Sequence, residues 1–198
     1  KFGQFITNVT VRNTLGQSKS SFNIRQIMDE GKILIANLSK GKLGEINSNL
    51  IGMILAEEIT MAALARTDLP EEQRRPFYLY VDEFQNFATK TFATILSEAR
   101  KYKLNLIIAH QFIDQLSVNG KEEIRDAVFG NCGTYVIFRT SAKDAEFLEK
   151  EFVPVFNKSD IANIDQYVAY VKLMNKGTVS KGFSMSTVYI NNPHKELG

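Results

Sequence analysis

The chain has 198 residues, 44% of them hydrophobic, so it can bury one sizeable core, and its length predicts a single domain over residues 1–198. Lys and Arg number 24 against 22 Asp and Glu, a formal net charge of +2, which excludes binding of nucleic acid through the overall field of the protein. One cysteine excludes an internal disulfide, and with only two histidines it also excludes a Cys/His zinc site. No apolar run approaches about 20 residues, so no membrane contact is predicted from this segment.

The first third of the chain contains a β-leaning stretch, one predicted buried strand and one long predicted helix. Residues 1–30 form a lead-in segment in which FITNVTV favours a strand and a polar, turn-forming stretch follows. The run KILIANL, residues 32–38, predicts a buried strand, and a Gly- and Lys-rich loop comes after it. Apolar residues at helical spacing from Asn49 to Arg66 then predict a helix capped by Asn47 or Ser48.

The rest of the core segment, residues 31–150, alternates strands with helices. Strands are predicted at 77–81, 104–109 and 134–138, and helices at 112–116, at 121–129, from about Thr91, and from the Ser141/Asp144 capping box onward. This alternation favours an α/β domain of three layers with a mainly parallel sheet. The last region, residues 151–198, contains two β-rich runs around Asn175-Lys-Gly177, which predict an antiparallel hairpin on the sheet edge.

Two adjacent carboxylates, Asp82 and Glu83, follow the apolar strand 77–81 at the point where it leaves the core. Ligands of open α/β sheets bind outside the carboxyl ends of the strands. This position therefore predicts that Asp82 holds Mg²⁺ through water and that Glu83 orients or deprotonates the water that attacks a γ-phosphate. The alternative interpretation is that the acids only begin a loop or favour a helix N-terminus.

Polar residues also follow the next two strands. His110 and Gln111 come after the strand at 104–109, and Arg139 comes after the strand at 134–138. The amide of Gln111 can hydrogen-bond a γ-phosphate or the attacking water, and Arg139 is predicted at the same edge as a cofactor-binding residue. Each could instead be an ordinary polar loop residue, but three consecutive strands that end in polar groups favour a common site.

Two long segments carry a family resemblance. LYVDEFQNFATKTFATILSEARKYKLNLIIAHQFIDQL and IRDAVFGNCGTYVIFRTSAKDAEFLEKEF resemble the DNA-translocating P-loop ATPases of the HerA/FtsK superfamily, and most nearly the TraG/TraD-type coupling proteins of conjugation and type IV secretion. The similarity extends from Gly31 to the KGFSMST region. It implies a RecA-like fold, ATP and Mg²⁺ as cofactors, DNA bound without sequence specificity, a homo-hexameric ring, and secretion or relaxosome proteins as further partners.

The resemblance also implies roles for individual residues. Asp82 and Glu83 match the Walker B pair, as magnesium ligand and catalytic glutamate, and Gln111 matches the polar sensor on the following strand. Arg100, in EARKYKL, matches an arginine that such motors present to the nucleotide of the neighbouring subunit. Its predicted helix face, opposite the apolar one, leaves it exposed and free to reach a partner. The alternative is a solvated arginine near a helix C-terminus.

The sequence lacks a phosphate loop of the form Gly-x-x-x-x-Gly-Lys-Ser/Thr. LGQSKSS has no second glycine before its lysine, and no Ser or Thr follows the lysine of SKGKLGE. The resemblance implies that the motif lies upstream, so the chain is expected to be the C-terminal portion of a motor domain, whose missing strand would lie between 104–109 and 134–138. Little or no ATPase activity is expected from this chain alone, because positioning and electrostatics supply nearly all of the catalysis in phosphoryl transfer.

The basic loop NLSKGKLGEINS offers Lys40 and Lys42 as contacts to a DNA backbone, since lysines supply charge without reading sequence. Its alternative interpretation is a flexible connection between strand and helix. For the whole chain, the alternative to an ATPase is a P-loop-like docking module that binds secretion-system proteins or DNA without hydrolysis. The expected location is the cytoplasm, or the cytoplasmic face of the inner membrane through an upstream anchor.

Overall fold

The structure, a computed structural model, describes residues 7–117 and 122–188. The chain divides into two compact units. Unit 1 comprises Lys1–Gln111 and Gln115–Asn131, and unit 2 comprises Phe112–Asp114 and Cys132–Gly198. The single domain predicted from chain length stays a prediction.

In its described residues, unit 1 is mainly helical and contains one pair of strands. Its helices are α1 (Val9–Leu15), α2 (Ile24–Glu30), α3 (Lys40–Leu43), α4 (Glu45–Leu64), α5 (Lys90–Glu98) and α6 (Glu123–Asn131). Its strands are β1 (Phe77–Val81) and β2 (Leu104–Ile108). Four 3₁₀ turns lie at Ala65–Asp68, Glu71–Gln73, Phe84–Asn86 and Ala99–Tyr102, and a fifth, Ile113–Leu116, contains residues of both units.

The strand pair and the helix between its members follow the predicted pattern. β1 and β2 are parallel, in register from Phe77 opposite Leu104 to Val81 opposite Ile108. Thr89 begins α5 by accepting a hydrogen bond from the backbone N–H of Phe92, the bond expected of an N-cap residue. The apolar face of α5 and of the turn after it is buried, with Phe92, Ile95 and Ala99 each less than 5% exposed. These predicted elements are confirmed.

The predicted strand at residues 32–38 is wrong for the described structure. This run forms no strand, and the Ile33 and Ile35 side chains are 89% and 87% exposed. Leu34 and Leu38 line a cleft whose opposite side is β1, so the run lies beside β1 without hydrogen-bonding to it. Apolar composition identifies a segment that can pair, but a strand exists only where a second backbone completes its hydrogen bonds.

Two other predictions for the first part of the chain are wrong: one strand and the start of one helix. The stretch FITNVTV was predicted as a strand, but its residues 9–11 belong to α1, because the Asn8 side chain caps the helix by accepting from the Val11 N–H at 3.1 Å and Val11 itself is buried. Residues 5 and 6 of the stretch lie outside the described residues. α4 begins at Glu45 after Gly44, whose φ of 77° favours glycine. Neither Asn47 nor Ser48 caps it, because the Ser48 hydroxyl donates instead to the Leu38 carbonyl oxygen.

Helix α4 and the 3₁₀ turn after it, Glu45–Asp68, form one helical stretch of 24 residues with a mean hydropathy of 1.3 over its most apolar window. By length and composition it could cross a membrane, although Glu57 and Glu58 interrupt its apolar residues. The core helix of a soluble protein meets the same criterion, and α4 packs against α2, α3 and α5. The prediction of no membrane contact stays a prediction.

Within residues 132–188, unit 2 contains antiparallel sheets and two helices. Its elements are β3 (Tyr135–Ile137), α7 (Ala142–Phe152), α8 (Lys158–Ala162), β4 (Val168–Lys172), β5 (Met174–Asn175), β6 (Thr178–Val179) and β7 (Phe183–Ser186). β4 pairs antiparallel with β7, which confirms the predicted antiparallel hairpin. β4 also pairs antiparallel with β3, on its other side. β5 and β6 form a second small hairpin whose turn residues, Lys176 and Gly177, have φ of 50° and 81°, as a two-residue turn of this kind requires.

The α/β class is confirmed, but the sheets are mixed rather than mainly parallel. Among the described residues β1–β2 is the only parallel pair, and β3, β4, β7 and the small hairpin are antiparallel. Parallel pairing needs a crossover connection, which α5 provides between β1 and β2, whereas the chain after β4 returns through short turns.

The predicted capping box at the start of α7 is only half realised. The Ser141 hydroxyl accepts from the Asp144 N–H at 3.2 Å, as predicted. The Asp144 carboxylate, however, accepts from the Thr140 hydroxyl at 3.2 Å. Ser141 is therefore the N-cap residue, and the Asp144 carboxylate bonds to Thr140, the residue before the cap, instead of to the backbone of Ser141.

Candidate functional site

The site lies at the carboxyl end of β1, where the chain turns sharply. Strand pairing continues one step past the strands, because the Ala109 N–H donates to Val81 O and the Phe84 N–H donates to Ala109 O, both at 2.9 Å. Between them Glu83 has φ 50° and ψ 46°, a left-handed conformation that costs a non-glycine residue about 1–3 kcal/mol. The chain adopts it because this turn sends Glu83 to the polar side while Phe84 enters the core.

Two aromatic rings hold this turn in place. Phe84 is fully buried and packs edge-on against Phe92 of α5, with ring centroids 4.9 Å apart. The Phe87 ring lies so close to α4 at Gly52 that a Cβ there would be 2.1 Å from it. Only glycine at position 52 leaves this space. The acids are therefore carried on a turn that is anchored in the apolar core on both sides.

The carboxylate of Glu83 is held by two side-chain amides. The Gln111 Nε2 donates to Glu83 Oε1 at 2.6 Å, and the Gln85 Nε2 donates to Glu83 Oε2 at 2.5 Å. Hydrogen bonds to a charged acceptor are the stronger kind. Gln111 and Glu83 were predicted to meet because the strands before them are neighbours and parallel, and they do. The sequence analysis did not predict the contact from Gln85. The only feature of the sequence that could have indicated it is that Gln85 lies two residues after Glu83.

Asp82 is exposed at the end of β1. Its Oδ1 accepts a hydrogen bond from the Glu83 N–H at 3.0 Å, and its Oδ2 forms no hydrogen bond with another described residue. No cluster of three or more His, Cys, Asp or Glu that could hold a metal is found in the described parts of the chain. Mg²⁺ in nucleotide sites, however, commonly takes one or two carboxylates together with waters and phosphate oxygens. Asp82 therefore fits a magnesium–nucleotide complex and not an all-protein metal site.

A cleft of about 510 Å³ is lined by β1 and by both acids. Its other walls are residues 34–40 and one face of α4. Lys40 lies at the acid end, where its Nζ donates to Asn86 Oδ1 and Glu45 Oε1, each at 3.2 Å. The sequence offered Lys40 as a DNA contact, and the structure links it to the turn that carries the acids. Lys42 is exposed on α3. The DNA contacts stay predictions.

The remaining two predicted site residues are arginines on other elements. Arg100 is exposed in the 3₁₀ turn Ala99–Tyr102, which precedes β2, so it lies at the opposite end of the parallel strand pair from Asp82 and Glu83. Arg139 is exposed and follows β3 in unit 2. Its place beside the acids stays a prediction.

Comparison with known proteins confirms the resemblance. Residues 76–151 match the model of a family described as the TraM recognition site of TraD and TraG. This stretch of the chain is therefore similar to the TraG/TraD-type coupling proteins. It begins just before β1, so that it contains both acids, Gln111 and Arg100. No curated protein sequence matches the chain.

Solved structures share the fold. The bacterial conjugative coupling protein TrwB, in its unbound form, matches 92% of this chain with a TM-score of 0.64 at 16% identity. TrwB in complex with ADP and Mg²⁺ matches 93% with a TM-score of 0.63 at 18% identity. The chain spans about half of these proteins, 48% and 49%. The genome packaging NTPase B204 of Sulfolobus turreted icosahedral virus 2, in complex with ATP-gammaS, matches 86% of this chain, and 74% of B204 is covered, with a TM-score of 0.52 at 13% identity.

Proposed function

We propose that this chain provides the water-activating part of an ATP-driven, DNA-translocating motor of the conjugative coupling type. The observation that carries the proposal is the direct contact of Gln111 with Glu83, because it joins the predicted sensor to the predicted catalytic acid at one sheet edge. In this proposal the complete motor has a RecA-like fold, hydrolyses ATP with Mg²⁺, forms a homo-hexamer and works in the cytoplasm or at the cytoplasmic face of the inner membrane. Its DNA contacts, Lys40 and Lys42 among them, read no sequence.

Each residue at the edge has a defined task. Glu83 holds a water on the face of its carboxylate that the amides leave open and takes up its proton as the water attacks the γ-phosphate. Gln111 keeps the Glu83 carboxylate oriented and can exchange that contact for the water or the phosphate. Asp82 is the residue that would hold Mg²⁺, which supplies charge neutralisation at the phosphate oxygens when bound. Arg139 is proposed to bind the nucleotide, because it follows a strand as the acids and Gln111 do.

The position of Arg100 supports action on a neighbouring subunit. Five residues of β2 span about 16 Å at the usual strand rise, and Arg100 and the acids lie at opposite ends of the strand pair. Arg100 is therefore too far away to serve the acids of its own chain. An exposed guanidinium that cannot reach its own site but resembles a trans-acting arginine is suited to neutralise transition-state charge in the next subunit.

The test is ATP turnover by the full-length protein, with and without DNA. Glu83→Gln is expected to lower kcat by about 10²- to 10⁴-fold while Mg-nucleotide binding persists, since it removes the base and keeps the shape. Arg100→Ala is expected to lower kcat by about 10³-fold or more. Arg12→Ala, at an exposed helix position, and Glu72→Gln, at an exposed loop position, serve as matched controls outside the β1–β2 ends.

Mixed rings separate a trans role from a structural one. Glu83→Gln and Arg100→Ala subunits are each inactive alone, but a mixture contains interfaces where an intact Glu83 faces an intact Arg100. Recovered turnover in the mixture supports action in trans. No recovery, with rings shown to form and exchange subunits, contradicts it.

A second candidate function is a docking module without hydrolysis, which the match of residues 76–151 to a TraM recognition site favours. Absence of turnover in the full-length protein, together with retained nucleotide or partner binding, would establish it. In that case Glu83→Gln would leave partner affinity unchanged, whereas exposed changes within residues 76–151 would lower it.

A further inference from the structure

The turn that carries Arg100 is supported through its backbone. It ends at Lys103, whose φ is 54°, with the Lys103 N–H donating to Arg100 O at 3.1 Å. The Lys103 carbonyl then accepts the Phe77 N–H at 2.8 Å, which ties the turn to the start of β1. The Arg100 side chain itself forms no hydrogen bond or ion pair with another described residue. The direction in which its guanidinium projects therefore depends on how firmly the backbone of the turn is held.

Arg66 holds one carbonyl of this turn from inside the protein. Its side chain is fully buried and donates to Tyr102 O at 2.9 Å, to Arg75 O at 2.6 Å and to Asp29 Oδ1 at 3.1 Å. Burial lowers the pKa of the guanidinium, and the neighbouring Asp29 opposes that shift. A buried charge is tolerated only when it is paired and hydrogen-bonded, so these three bonds are made together or not at all.

Arg74 holds the preceding carbonyl. Its Nη1 donates to Lys101 O, and its Nε donates to Arg66 O at 2.9 Å and Leu69 O at 3.0 Å. Its guanidinium also lies over the Tyr102 ring, 5.8 Å from the centroid, a cation–π contact. Two arginines thus bind the two consecutive carbonyl groups that follow Arg100, from a loop about 30 residues earlier in the chain.

We propose that Arg66 and Arg74 are positioning residues for Arg100, holding the backbone of its turn so that the exposed guanidinium is presented to a neighbouring subunit in a fixed direction. This inference rests on the proposed trans role of Arg100. A group that must meet a transition state needs support from residues whose own conformations are locked, because a displacement of about 1 Å can cost as much as 10²-fold in rate.

The nearby Arg75 provides a matched comparison. It is adjacent to Arg74, and its side chain also donates to a carbonyl, that of Glu30 at 3.0 Å, but it bonds to no atom of the Arg100 turn among the described residues. A general effect of removing an arginine from this loop would appear in both Arg74→Ala and Arg75→Ala. A loss of support for the Arg100 turn would appear in Arg74→Ala and not in Arg75→Ala.

The first arm of the test measures the mobility of the turn that carries Arg100. A nitroxide label is attached at position 100 through Arg100→Cys in a Cys132→Ser background of the full-length protein, and its mobility is measured by electron paramagnetic resonance. Arg74→Ala is expected to make the label clearly more mobile, and Arg75→Ala is expected to leave it unchanged. Equal mobility in the parent and in Arg74→Ala would overturn the proposal. Arg74 is used because Arg66 is fully buried and its removal endangers folding.

The second arm reads function. Arg74→Ala is expected to lower kcat by about 10- to 100-fold with little change in the KM for ATP. In an Arg100→Ala background it is expected to lower kcat no further, since the residue it positions is already gone. An equal loss in both backgrounds would show a structural effect and refute the positioning role. If Arg100→Ala leaves turnover unchanged, the trans role proposed for Arg100 fails and the functional part of this inference with it, while the label still decides whether Arg74 holds the turn.

Discussion

Replacing the buried Arg66 by Met tests the physical account of unit 1 most directly. Arg66→Met keeps a long side chain but removes all three hydrogen bonds of the guanidinium. Breaking a buried charge pair typically costs about 3–5 kcal/mol. Asp29 retains Arg25 as a partner, at 2.5 Å, so the larger part of the cost comes from the carbonyls of Tyr102 and Arg75 that lose their donor. The total free energy of unfolding of a domain of this kind is only about 5–15 kcal/mol.

The assay is thermal unfolding of the chain followed by far-ultraviolet circular dichroism. At about 2–4 °C per kcal/mol for a chain of this size, the midpoint is expected to fall by about 6–20 °C. Arg75→Ala is the control, because it removes one hydrogen bond of an exposed side chain and should cost less than about 1 kcal/mol. A midpoint for Arg66→Met within about 2 °C of the parent would refute the reasoning, as would equal losses in the two variants.

Three further predictions concern the core, a helix cap and alkaline pH. Phe84→Ala should destabilise the chain by about 3–5 kcal/mol in urea titration, because it empties a fully buried ring site, whereas Phe84→Leu should cost markedly less. Ser141→Ala should cost about 1 kcal/mol by removing the cap on the Asp144 N–H, and Ser141→Asp should restore most of it. Burial raises the pKa of both Cys132 and Tyr135, so their stabilising contribution is complete below the unfolded pKa values of 9.0 and 10.0 and is lost as the pH rises beyond them. Urea midpoints should therefore fall above about pH 9, and by less in Cys132→Ala; an equal fall in that variant would exclude the thiol as a cause.

Local pattern was sufficient for elements whose burial follows from their own residues. β1, β2 and α5 were predicted with nearly correct bounds because each has an apolar face at the correct period and a polar residue or turn at its end. Residues 32–38 have an equally apolar pattern, but no described backbone pairs with them. Pairing is a property of two segments, so the composition of one cannot establish it.

The candidate site was predicted in part for the same reason. Parallel neighbouring strands bring their carboxyl ends together, so Asp82, Glu83 and Gln111 could be grouped from the sequence alone. The second amide on Glu83, from Gln85, depends on the left-handed turn at Glu83, and a non-glycine residue gives no sign of that conformation. The hydrogen bond from Lys40 to Asn86 joins residues 46 positions apart, so no local pattern in the sequence could predict it.

By itself the sequence determined the α/β class, the two parallel strands, the acids and amide at their ends, and the TraG/TraD resemblance, because each of these is expressed within a few consecutive residues. Only the tertiary structure decided which segments pair, where α1 and α4 begin, and that buried Arg66 reaches Tyr102 across 36 positions to hold the turn of Arg100. A hydrogen bond between residues far apart in sequence depends on how the elements between them pack, and no local period or spacing in the sequence encodes that packing.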